Sequence, residues 1–142
     1  MEIVLISPTH PLHPAEVDLR FRVLRAPLGI RREEVRYPLD EGSLHWVGVE
    51  EERVVGCVLF HPETAQRGRL LQMAVEPALQ GRGMGRQLVR ALEAEAASRG
   101  FEEVTLHARE EKVGFYLRLG YELYGDPFVE VGIPHRLMRR RL

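Results

Sequence analysis

Residues 70–100 read LLQMAVEPALQGRGMGRQLVRALEAEAASRG: an apolar run, a turn with glycine at 81, 83 and 85, and a long amphipathic segment. The run Leu70–Val75 has the length and composition of a buried strand. Beyond the turn, Leu88, Leu92 and Ala96 recur on one face of a helix predicted from Gly85 to Arg99, with Gly100 as the glycine that ends it. Farther on, EEVTLHA (102–108) sets Val104, Leu106 and Ala108 against Thr105 and His107, which is the period of a second strand. Leu70–Ala108 is thus a βαβ unit whose first turn lies where backbone N–H groups have no partner inside the helix. Glycine lets those donors approach a ligand, the helix dipole adds about half a positive charge, and Arg82 and Arg86 add two full ones. Such a turn suits a diphosphate.

Working outward, Pro14 can open a helix that carries Val17, Phe21 and Leu24 as an apolar stripe and ends near Ala26. Arg31–Tyr37 is read as a second short helix stopped by Pro38. LHWVGV (44–49) and RVVGCVLF (53–60) flank a polar tetrad and read as a hairpin. A helix over Glu110–Leu119 ends at Gly120, and strands follow around Tyr121–Glu130 and His135–Arg140, the last expected at a sheet edge. The expected fold is α/β, a mixed and mostly antiparallel central sheet flanked by helices, formed as a single domain over residues 1–142.

Composition narrows the function classes. With 20 Lys and Arg against 21 Asp and Glu, the net charge of −1 gives no field to hold nucleic acid, and the basic RLMRRRL (136–142) reads as strand-edge protection. The lone Cys57 sits in an apolar run and reads as a buried thiol, so no disulfide framework or multi-cysteine metal site is expected. No His, Cys or carboxylate spacing points to a catalytic zinc. No apolar run approaches the ~20 residues that span a bilayer, and no basic leader precedes MEIVLI, so a cytoplasmic, membrane-free protein is expected.

The glycine pattern is not a P-loop, because Gly85 is followed by Arg86-Gln87 rather than Lys and Ser or Thr, and its G-x-G-x-G spacing is one residue short of a dinucleotide fingerprint. It does fit Gln-x-x-Gly-x-Gly, from Gln80, Gly83 and Gly85, and so resembles motif A of the GCN5-related N-acetyltransferases. GFYLRLGYEL (114–123) is similar to that family's later helix and strand, while FRVLRAPLG (21–29) and FVEVGIPHRLMRR (128–140) resemble an ElaA-like branch. The resemblance implies acetyl-CoA as cosubstrate, with its diphosphate on the amides of Gly81, Arg82, Gly83, Met84, Gly85 and Arg86 and its arm along Met73, Ala74 and Val75. It also implies direct transfer to a primary amine in a ternary complex, with Tyr116 as the general acid. Arg109 stands where the family often has asparagine, and is expected to reach the cofactor's phosphates.

An ammonium of pKa about 10.4 must lose its proton before it attacks, a cost of roughly 4 to 5 kcal/mol at pH 7. His45, His107, Glu130 and His135 are the candidates to take that proton or to line the acceptor pocket. The acceptor itself stays open among small-molecule and peptide amines, and edge strands make a homodimer possible. The alternative reading is a catalytically silent module that binds an acyl-CoA or nucleotide.

Overall fold

The computed structural model describes all 142 residues. Seven strands form one sheet: β1 (Glu2–Ile6), β2 (Leu44–Glu50), β3 (Arg53–Pro62), β4 (Arg67–Val75), β5 (Glu103–Arg109), β6 (Glu122–Glu130) and β7 (Ile133–Arg141), in spatial order β1-β2-β3-β4-β5-β7-β6. Every neighbouring pair is antiparallel except β4 and β5, which α2 (Met84–Ser98) joins as the expected parallel crossover. The strand β1 has no counterpart in the sequence reading. Its five residues alternate too little in polarity to stand out, and pairing with β2 is what defines it.

Helices cover both faces. On one, Leu88, Val89, Leu92 and Ala96 of α2 meet Val58, Phe60, Leu70, Val104, Leu106 and Met138, while Tyr116 and Leu119 of α3 (Val113–Arg118) and its C-terminus close the end of this core. On the other, Leu19 of α1 (His13–Arg20) packs with Ile6, Val47, Val54, Cys57 and Ala74. Cys57 is fully buried, as its apolar run requires. No helix is long and apolar enough to cross a membrane.

Three local expectations are corrected. The first helix does not run smoothly to Ala26: after α1 comes a π-helical turn, Phe21–Arg25, and then a 3-10 turn, Ala26–Leu28. Its buried face carries Glu16, Leu19 and Arg20 rather than Val17 and Phe21, because Glu16 and Arg20 pair inside the protein while Arg32 stacks over the Phe21 ring at 4.3 Å. Arg31–Tyr37 is a single 3-10 turn, Arg32–Glu34, since the residue before Pro38 is driven to extended backbone and the segment has no apolar stripe to dock. Finally, β7 is an interior strand between β5 and β6, and β6 is the edge. Val131 and Gly132, with φ of 47° and 75°, make the tight turn that folds β7 back into the sheet. Two of its basic side chains are engaged: Arg139 stacks on Tyr124 and pairs with Glu122, and Arg140 pairs with Glu93.

Candidate active site

A cleft of about 900 Å³ opens where β4 and β5 part. The two strands pair only from Arg67/Glu103 to Leu70/Leu106. Beyond that point the β4 edge that faces β5 is free of strand partners, and Leu71 to Val75 line the gap. The splay has a visible cause in β4 itself. Two residues of β4, Gln72 and Met73, oppose the single Val58 of β3 between Cys57 and Leu59, and at this bulge Gln72 adopts φ +55°. That unusual backbone is held from both sides: Cys57 Sγ–H donates to the Gln72 carbonyl at 3.3 Å, and Arg20 Nε donates to Gln72 Oε1 at 3.2 Å.

At the mouth of the cleft lies the glycine turn. Gly81 and Gly83 have φ of +82° and +81°, so both need the left-handed region although nothing crowds a Cβ there. Gly85 is glycine for a different reason: a Cβ would stand 3.2 Å from the Phe115 ring, which packs over the start of α2. None of the amides from Gly81 to Arg86 has an acceptor within the protein, and α2 carries no side-chain cap. Gln80 Nε2 donates to the Val75 carbonyl at 3.0 Å and ties the turn to the end of β4. Gly81, Gly83, Met84, Gly85 and Arg86 line the cleft; Met84 is buried, and Arg82 is exposed outside it. Six open donors, a helix start and Arg86 together form an anion cradle.

Deeper in, Tyr116 is almost entirely buried against Phe115 and Tyr121, yet it lines the cleft and its hydroxyl has no partner in the protein. Burial alone pushes its pKa up, so the phenol stays protonated near neutral pH. Across the cleft, Glu130 of β6 accepts from His107 Nδ1–H of β5 at 3.0 Å. Burial opposes ionisation of Glu130, but the hydrogen bond from His107 and the positive field of Arg69 outweigh it and hold the carboxyl below its usual range. His135 is buried beside this pair; its Nδ1–H donates to the Ile133 carbonyl at 2.7 Å and its Nε2 lies 3.6 Å from Glu130. Arg109 lines the same cleft and donates to the Leu24 carbonyl of the π-turn at 3.0 Å.

His45 does not reach the cleft. It is fully buried, donating from Nδ1 to Glu16 at 2.9 Å and from Nε2 to the Asp40 carbonyl at 2.8 Å. Two acceptors make it an imidazolium: burial works against the charge, but Glu16 and Asp40 outweigh it and raise the pKa. Arg20 completes this network with bonds to Glu16 at 3.0 Å and to both Asp40 oxygens at 2.9 Å, and it stacks over Tyr37 at 3.9 Å. Donor atoms of His13, Glu16, Asp40 and His45 lie within 4.8 Å of one another, a metal-like set, but the Arg20 guanidinium already meets both carboxylates. Through it the network joins α1, the loop at 36–40 and the β4 bulge. Sequence reasoning passed over Arg20, Tyr37 and Arg69 and took Gln72 only as the start of the strand that carries the arm; the i, i+4 spacing of Glu16 and Arg20 was the one available hint, and nothing signalled the bulge at Gln72.

Comparison with known proteins agrees with this geometry. The family model of the acetyltransferase (GNAT) domain matches residues 28–142. The chain is 29% identical over 96 residues to the Bacillus subtilis protein YyaT, a match that covers 68% of this chain and 59% of that protein, so it spans about three fifths of the relative's length. It is 28% identical over 129 residues to the N-acetyltransferase YitI of the same organism, covering 85% of each. Among solved structures, Escherichia coli ElaA shares the fold with a TM-score of 0.84 at 20% identity, covering 99% of both chains. An aminoglycoside 6'-N-acetyltransferase complexed with coenzyme A has a TM-score of 0.78 at 21% identity, covering 99% of this chain and 97% of that one.

Proposed function

The chain belongs to the GNAT acetyltransferase family, and on that premise we propose that it is an acetyl-CoA-dependent N-acetyltransferase that moves the acetyl group directly to a primary amine. The observation that carries the reading is the unpartnered run of amides from Gly81 to Arg86, opening onto the gap between β4 and β5. A diphosphate supplies the acceptors those donors lack, and the free edge of β4 at Met73, Ala74 and Val75 offers backbone groups to an amide-bearing arm. Neighbours with coenzyme A or acetyl-CoA bound support the same cosubstrate.

Acetyl-CoA supplies the activated thioester: as the amine nitrogen bonds to its carbonyl carbon, the carbon–sulfur bond breaks and the sulfur leaves as a thiol. Tyr116 holds the proton the sulfur needs, at a hydroxyl that is protonated and unpartnered. His107 takes the proton that the amine gives up. Its Nδ1–H is committed to Glu130, which leaves Nε2 as the acceptor on the cleft side. His135 positions Glu130 from the opposite side, and Arg109 braces the π-turn rather than the diphosphate.

The test is thiol release from acetyl-CoA over an amine panel, with acetyl-CoA affinity measured separately by calorimetry. Tyr116→Phe lowers kcat about 100-fold while acetyl-CoA still binds. Unchanged turnover in this variant removes Tyr116 from the acid role. An enzyme that binds acetyl-CoA but acetylates no amine is a binding module instead.

A further inference from the structure

The end of the cleft away from the glycine turn is a cationic pocket with almost no acid to balance it. Eight Arg and Lys side chains line the whole cleft against the three acids Asp40, Glu111 and Glu130. Arg86, Lys112 and Arg118 flank the start of α2 and the α3 segment, where the cosubstrate's phosphates would lie under the reading above. Arg20 is matched by Asp40. That leaves Arg25, Arg36, Arg69 and Arg109 facing Glu130, and none of the four lies within 4 Å of a carboxylate.

These guanidiniums lack acidic partners; Arg36 is exposed and donates to the Glu33 and Val35 carbonyls, whereas the other three are at least partly buried. Arg69 Nε is buried with no acceptor, and so is the Tyr37 hydroxyl; both residues line this part of the cleft. Buried donors left open cost stability unless something else satisfies them. Arg25 is half-buried, and its charge is disfavoured first by burial and then by Arg109 and Arg20 nearby. Its one hydrogen bond, to the Leu24 carbonyl at 3.4 Å, is long, and the Arg109 guanidinium donates to the same oxygen. Two arginines from distant parts of the chain therefore converge with no anion between them. The cosubstrate's diphosphate does not reach Arg69, which precedes Val75 by six strand residues, about 20 Å along β4, while the cradle begins beyond Val75.

We propose that the acceptor amine carries its own anionic group, a carboxylate or a phosphate, and that this group docks on Arg25, Arg69 and Arg109 with the Tyr37 hydroxyl as a further donor. Planar guanidinium forks suit both oxyanions. The same cations serve the chemistry. They raise the energy of the ammonium form of the acceptor and so ease loss of its proton toward His107, while the acceptor's anion offsets the repulsion that a bare ammonium would meet. Polycationic amines, aminoglycosides and polyamines among them, are disfavoured by the same field, so the structural likeness to an aminoglycoside acetyltransferase does not extend to its acceptor.

The inference rests on the acetyltransferase reading, and matched acceptors separate the two. Thiol release is followed with L-phenylalanine against L-phenylalaninamide, L-lysine against L-lysinamide, and O-phosphoethanolamine against ethanolamine, with spermidine as the polycation. The anionic member of at least one pair has a kcat/KM at least tenfold higher than its neutral counterpart, and which pair it is distinguishes carboxylate from phosphate. In Arg69→Gln and Arg25→Gln that ratio falls at least tenfold through KM; a ratio cancels any shared loss of folded protein. Calorimetry with the N-acetylated members gives a readout without turnover, the anionic forms binding at least tenfold tighter. Equal or better turnover of the counterpart in all three pairs, or turnover of spermidine that matches the best anion-bearing acceptor, overturns the proposal, as does a ratio that survives both substitutions, or equal or undetectable binding of both acetylated forms in the preferred pair. Failure to bind acetyl-CoA at all sinks the family mechanism instead.

Discussion

Replacing Gly81 and Gly83 together by alanine isolates the conformational demand of the cradle from every other effect. Both positions sit near φ +80°, and neither new methyl group meets an atom within 4 Å, so the perturbation is backbone strain alone. An L side chain in the left-handed region costs roughly 1–2 kcal/mol per residue, hence about 2–4 kcal/mol for the pair. If the turn relaxes to escape the strain, the amides lose their aim, and the dissociation constant for acetyl-CoA rises roughly 30- to 1000-fold. If it keeps its shape, the same energy shows up as lower stability: at about 0.3 kcal/mol per degree for a chain of this length, Tm falls roughly 7–13 °C. The turn is exposed and makes few contacts, so relaxation and weaker binding are the expected result. Gly100→Ala is the control. It has φ +91° at the far end of α2, is equally uncrowded, and lowers Tm without touching affinity. Calorimetry with acetyl-CoA and a thermal melt on each variant measure both terms. A double variant that binds within threefold of the parent and melts at the same temperature refutes the assignment of the cradle.

Glu16→Ala removes a fully buried carboxylate from Arg20 and His45 and leaves two cations with one acid; by the usual cost of breaking a buried pair it destabilises by about 3–5 kcal/mol, read as a lower denaturant midpoint. The same network sets a pH window. His45 has a raised pKa, so its contribution is complete below the ordinary value of 6.5 and is lost as pH climbs through the folded value. For Asp40, burial is outweighed by Arg20 and the pKa is lowered, so its contribution is complete above the ordinary 3.8 and is lost as pH falls through the folded value. The network therefore stabilises most between about pH 4 and 6.5, and His45→Gln flattens the alkaline side of a melting-temperature profile. Cys57 is sealed in the core, with its thiol pKa pushed up by burial, so a thiol reagent modifies it only at the rate of global unfolding and it does not contaminate a coenzyme A release assay.

Short-range chemistry made much of this legible in advance. The strand, glycine turn and helix of residues 70–100 declared themselves because each element's signal lies within a few neighbours: apolar run, positive-φ glycines, 3.6-residue stripe. Tyr116 was singled out only through the resemblance of residues 114–123 to a family element, since a tyrosine in an aromatic-rich helix otherwise reads as packing. Where the reading failed, partners far apart in the chain decided the outcome. Val17 and Phe21 looked like the core stripe of the first helix, but Glu16 and Arg20 are buried because His45 and Asp40, twenty or more residues on, satisfy them. His45 looked as eligible as His107, yet one is locked between two acceptors in the interior and the other faces the cleft with Glu130 behind it.

By itself, then, the amino-acid order determined most of the elements and the turn whose amides could grip a diphosphate, since backbone conformation and helix-end amides are local properties of a few consecutive residues; β1 and the segment at 31–37 escaped it. Only the tertiary structure decided where β4 and β5 separate, that β7 slips between β5 and β6, and which charges go unmatched at Arg25, Arg69 and Arg109. Those follow from packing and from electrostatic balance among residues up to 85 positions apart, as between Arg109 and Leu24, and no periodicity in a sequence records which distant groups will share a dielectric.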